Sequence, residues 1–249
     1  MIMNSNNPFF KTKSFKENDD VVTHDAVIID RNETMTVSGT INKSFLMLIL
    51  LIASAAITWS MANPIVFAIG GAIVGFILVL IAVFKPQYSG FLAPGYAIFE
   101  GLFIGGISAI FEVMHPGIVI QAVSCTFVTF MVCFGLYKYE IVKVTEKFKS
   151  VVFAATLAIA TYYLFSWLLS MFTSFQPVHY GNSMMSIGIS AFVIVIAALN
   201  LFLDFDQIEK GVQQKMPKYM EWYGAMGLMI TLVWLYIEFL RLLSKLNRK

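Results

Sequence analysis

The chain has 249 residues, of which 58% are hydrophobic and only 13% charged, and its mean hydropathy is +0.76. A soluble domain of this length could not cover that much apolar side chain with polar groups. The formal net charge of +2, with no basic surface interleaved with aromatic residues, gives no footing for nucleic-acid binding.

In chain order, residues 1 to about 43 come first: polar, mixed in charge and poor in large apolar side chains. They read as a flexible cytoplasmic tail and not as a cleaved signal peptide, so two regions are expected, a tail over 1–43 and a membrane domain over 44–249. Crossing ~30 Å of hydrocarbon takes about 20 apolar residues in a helix. Seven stretches qualify, roughly 44–62, 65–84, 91–113, 117–137, 150–173, 183–203 and 220–244. The breaks carry turn chemistry, "ANP" at 62–64, "KPQYSG" at 85–90, "HPG" at 115–117 and "FQPVHYGN" at 175–182, where proline removes a donor and glycine permits positive φ. Barrel strands would be half as long and would alternate. The expected fold is an all-α bundle of seven transmembrane helices.

Basic residues orient the bundle. Lys11, Lys13, Lys16, Arg31 and Lys43 precede or open the first span, Lys85 follows the second, and Lys138, Lys143, Lys147 and Lys149 follow the fourth. Lys210, Lys215 and Lys218 follow the sixth, while the odd-numbered connections hold none. This bias places the amino terminus and the even connections in the cytoplasm. Arg241, Lys245, Arg248 and Lys249 run against it, and seven crossings put them outside. Cys125 and Cys133 stand eight positions apart in one apolar run, ~12 Å along a helix and beyond disulfide reach. They read as small core residues.

An ionisable side chain near mid-bilayer costs about 2.5–3.5 kcal/mol on insertion scales, so each one there is a functional candidate. Glu100, in "GYAIFEGLFIGG", lies inside the third span; Asp204, in "NLFLDFDQIEKG", at the cytoplasmic end of the sixth; and Glu238, in "LYIEFLRLL", well into the seventh. Asn200 shares a helix face with Asp204 at i, i+4, whereas Asp206 is expected to enter a wet, charged loop. Glu112 is expected at the outer rim in water. Each has a plainer reading: Glu100 as a packing hydrogen bond between spans, Asp204 as a rim acid paired with lysine, and Glu238 as the i, i+3 partner of Arg241. Taken together, acids on three spans with few intramembrane cations can share a proton and, once ionised, attract a cation of oxygen-preferring chemistry such as Ca²⁺. Glycines in "FAIGGAIVGF", "GGISAI" and "GAMGLM" permit close helix approach.

Over residues 44 to 246 the sequence resembles the bacterial branch of the Bax-inhibitor (transmembrane BAX inhibitor motif) family. The likeness rests on "YAIFEGLFIGGIS" in the third span, "LDFDQIEKG" at the sixth and "LYIEFLRLL" in the last. It implies six helices around a central seventh, and a pH-sensitive leak of cations, chiefly calcium. It further implies a proton sensor of two carboxylates, one where the sixth span ends and one on the seventh, with a basic residue at the end of the second. Asp204 matches the first carboxylate and Lys85 stands where the basic residue belongs. Glu238 takes the second only by a wide spacing, 34 positions after Asp204; an ungapped alignment puts Thr231 or its neighbours there instead. Two arrangements accommodate Glu238: "YMEWYGAMG" lies in the interface and the last span starts late, or Glu238 pairs with Glu100 at mid-depth.

No cofactor is expected. No His-Glu-x-x-His, Gly-x-Ser-x-Gly or paired-aspartate motif appears, so no enzyme is expected either. The expected partners are the bilayer of a bacterial inner membrane and a cation. The competing class is a non-conducting scaffold that binds other membrane proteins.

Overall fold

Seven long helices account for the membrane region in the computed structural model, which describes residues 34–173, 177–181 and 183–247. They are α1 (Val37–Trp59), α2 (Pro64–Phe84), α3 (Ser89–Met114), α4 (Ile118–Lys138), α5 (Glu146–Phe172), α6 (Met184–Gln213) and α7 (Met220–Asn247). All seven are long and apolar enough to cross a membrane, and among the described residues none forms a strand ladder. The protein is an integral, multi-pass helical membrane protein.

Local chemistry sets the boundaries. The hydroxyls of Thr36, Thr145 and Ser183 accept the Gly39, Phe148 and Ser186 amides at the starts of α1, α5 and α6, satisfying amides that have no intrahelical acceptor. Pro64 opens α2 at a position where no donor is needed. Gly117, at φ +84°, makes the turn into α4, a backbone region that side chains with a Cβ rarely adopt.

Two expected boundaries shift. Helix α1 begins at Val37, so 37–43 belong to the bundle and not to the tail; residues 1–33 of that tail lie outside the described residues. Helix α6 runs ten residues past the expected end at 203, to Gln213. Its last turns stay helical because Asp206, Glu209 and Lys210 find partners across the helix and on its neighbours.

Helix α7 is the axis. Half of its most apolar stretch is buried inside the protein, against 17% for α5. It packs on α1, α3, α4 and α6. Helix α5 reaches it through Tyr163, and α2 packs chiefly on α3. Five helices therefore engage the seventh directly, and α2 stands against α3. The outer faces carry large apolar residues such as Phe45, Ile49, Phe76, Ile120 and Val151, each more than half exposed, as lipid contact requires.

Candidate functional site

Asp204 sits on α6, nine residues before its last residue Gln213, or ~14 Å inside the helix by its rise. The expectation that Asp204 closes its helix is therefore corrected: the helix goes on, and the acid lies within the bundle. It faces α7. Its Oδ1 is 3.8 Å from where a Cβ on Gly227 would stand, and the Thr231 side chain is beside it. Its Oδ2 is buried and has no hydrogen-bond partner within the protein. The position facing Asp204 is thus held by Thr231, the occupant of the ungapped alignment.

Glu238 is elsewhere. It lies eleven residues beyond Gly227 on the same unbroken helix, ~16 Å farther along the axis, too far to share a proton with Asp204. Its Oε1 accepts from the Tyr163 hydroxyl at 3.2 Å and from Arg241 Nη1 at 3.1 Å; its Oε2 is buried without a protein partner. The Arg241 guanidinium also lies 5.4 Å from the Tyr163 ring centre, a cation–π contact. The plain i, i+3 reading of Glu238 describes these contacts. Around it stand Lys245, whose Nζ donates to Ser190 Oγ at 2.6 Å and the Ser186 carbonyl at 3.2 Å, and His179, whose Nδ1 is 3.0 Å from the Tyr162 hydroxyl. Burial, then the charges of Arg241 and Lys245, push the His179 imidazole down to about 4.

The remaining candidates disperse. Glu100 packs where α2 meets α3, with Oε2 3.0 Å from the Cβ position of Gly75 and Tyr96 close by. Helices α3 and α6 share no packing interface, so Glu100 does not join Asp204, and the Glu238 carboxylate bonds to Tyr163 and Arg241 in place of Glu100. A late start of the span does not bring Glu238 to Asp204 either, since eleven residues of unbroken helix separate it from Gly227. Asn200 ties α6 to α5 by donating to Thr156 Oγ1 at 2.8 Å. Asp206 is on the helix and not in a wet loop: its side chain is 14% exposed and bridges Lys149 at 3.0 Å and Lys210 at 2.9 Å. Lys85 is exposed at the end of α2 and forms none of the described ion pairs. Glu112, expected in water, accepts the Gly117 and Val119 amides and so caps α4.

One buried acid escaped the sequence reading. Glu221, fully buried, takes Lys43 as an ion-pair partner and Lys218 at 2.9 Å, and accepts from Thr36 N and Oγ1 at 2.9 and 2.8 Å. It fastens the start of α1 to the start of α7. The i, i+3 spacing of Lys218 and Glu221 was the one local signal; the long-range partner Lys43 left none.

Among the described residues, no group of three or more His, Cys, Asp or Glu could hold a metal ion. The three acids therefore do not form one cation cage. What remains is a multi-pass helical bundle with Asp204 in the seam between α6 and its central helix. The family model described as Bax inhibitor 1 like matches residues 7–248, nearly the whole chain, and the chain belongs to that family. No curated protein matches the chain.

Proposed function

We propose that this protein is a pH-gated cation leak, with calcium the expected ion, whose sensor is Asp204 acting alone. It resides in a bacterial inner membrane with its amino terminus in the cytoplasm, as the distribution of lysines supports. The observation that carries the reading is the Asp204 Oδ2 atom, buried between α6 and α7 with no protein partner. A neutral acid fits such a seam. An ionised one is disfavoured there, because a buried carboxylate oxygen needs a counter-charge or several donors. Gly227 and Thr231 face it from α7. The nearby charges on α6 are already engaged, Asp206 with Lys149 and Lys210, and Glu209 with Tyr137, and Cys133 of α4, in the same core cluster, bonds the Ala198 carbonyl. Loss of the proton therefore draws water and a cation into the seam and separates the two helices there.

The test is calcium flux into liposomes holding the purified protein, measured from pH 5 to 8. Flux is expected to rise with pH as Asp204 ionises, and Asp204→Asn is expected to remain low and flat. An Asp204→Asn protein whose flux still followed pH like the wild type would overturn the sensor. Absence of flux at every pH would overturn conduction and leave a membrane scaffold.

A further inference from the structure

The two buried side-chain oxygens without a protein partner, Asp204 Oδ2 and Glu238 Oε2, stand at two levels of the same helix packing. On α7, Glu238 and Lys245 follow Gly227 by 11 and 18 residues, close to three and five whole turns. All three therefore lie on one stripe. Gly227 meets Asp204 of α6 and Lys245 meets Ser186 and Ser190 of α6, so the stripe follows the α6–α7 seam, with α5 alongside at Tyr163.

Between the two oxygens, beyond Thr231, lie buried apolar residues. Ala197, Leu201 and Leu235 are 0% exposed and belong to one buried cluster, on which Trp234 packs. Trp234 also packs on a second cluster, built from Ile159, Val193 and Ile196. An acid oxygen with no protein donor is satisfied by its own proton or by solvent. Each therefore marks polar character at its own level, and the leucine layer divides the two.

We propose that Leu201 and Leu235, backed by Ala197 and Trp234, form an apolar barrier that closes a path along the α6–α7 seam, with Asp204 on one side of it and Glu238 on the other. The proposal rests on the reading of the protein as a cation leak. It places the resistance to flow in the leucine layer and leaves to Asp204 the control of when the layer parts. Glu238 is held by Tyr163 and Arg241 and is a fixed landmark of the far side, with His179 and Lys245 as its other titratable neighbours.

The experiment compares Leu235→Asn and Leu201→Asn with Leu235→Met in the liposome calcium assay at pH 5, where the wild type is closed. Folding of each variant is established by its elution as a single species in detergent. A polar side chain in the layer admits water and raises flux about tenfold or more, while methionine keeps it at the wild-type level. Low flux in both folded asparagine variants, with a wild type that still conducts at pH 8, overturns the barrier and spares the leak. Flux through the asparagine variants at every pH, with a wild type silent throughout, supports the barrier and removes gating by Asp204. Silence of every form at every pH overturns both. Should neither asparagine variant fold, Ala197→Cys in a protein with Cys125→Ser and Cys133→Ser serves instead. At pH 8, where the thiolate is equally available in both, a charged thiol reagent should label it when Asp204 is present and not when Asp204→Asn is added; equal labelling of the two overturns the barrier.

Discussion

Glu221 has no exposed surface and yet belongs to a densely bonded group, because Lys43, Lys218 and Thr36 all converge on its carboxylate. Breaking a fully buried pair by removing one partner costs about 3–5 kcal/mol. Lys218 is 45% exposed and can return to water, so Glu221→Ala is expected to cost less, about 2–3 kcal/mol, seen as a lower midpoint of unfolding in detergent. An unchanged midpoint would mean that the group contributes nothing net. At the other end of the bundle His179 binds protons less readily when folded, with a value near 4 against about 6.5 unfolded. The unfolded chain therefore holds the extra proton between these values. This contribution to stability is complete above about pH 6.5 and is lost as pH falls toward 4. The unfolding midpoint of wild type should drop over that interval more than that of His179→Asn; parallel curves would count against it.

At the scale of elements, close approach of α1 to α3 depends on two glycines, of which the sequence marks Gly105 as a packing device. A Cβ on Gly105 would lie 2.3 Å from the Ala55 carbonyl oxygen, and one on Gly101 would lie 2.4 Å from that of Leu51. Backbone cannot step aside as a side chain can, so Gly105→Ala is expected to cost about 1–3 kcal/mol. Gly70 and Gly135 would meet nothing within 4 Å, and alanine there is expected to be neutral or to stabilise by up to about 1 kcal/mol through helix propensity. Denaturant titration of the four single variants separates the two classes, and equal losses in all four would refute the packing argument. The length of α6 is also decided at this scale. Composition ends its apolar run near residue 203, but the charged turns beyond it remain helical because α4 and α5 supply Tyr137 and Lys149 to Glu209 and Asp206.

At the scale of the whole molecule, the sequence by itself determined seven spans, their approximate limits and the presence of acids among them. Each of these is a local property. A backbone in hydrocarbon must bond within its own helix, and twenty apolar residues in succession announce this wherever their neighbours stand. Gly71 and Gly75 were legible as a packing face for the same reason, and Gly71 does abut the backbone of Phe99 and Phe103. Which acids meet was not legible, because it depends on the rotation of each helix about its axis and on its offset along its neighbours. Only the tertiary structure decided that Asp204 faces Gly227 and Thr231, that Glu238 goes to Arg241 and Tyr163, that Glu100 stays with α2, and that Lys43 crosses to Glu221. Helix phase follows from the packing of all seven helices at once, and a rotation too small to alter any span is enough to bring a carboxylate from one neighbour to the next.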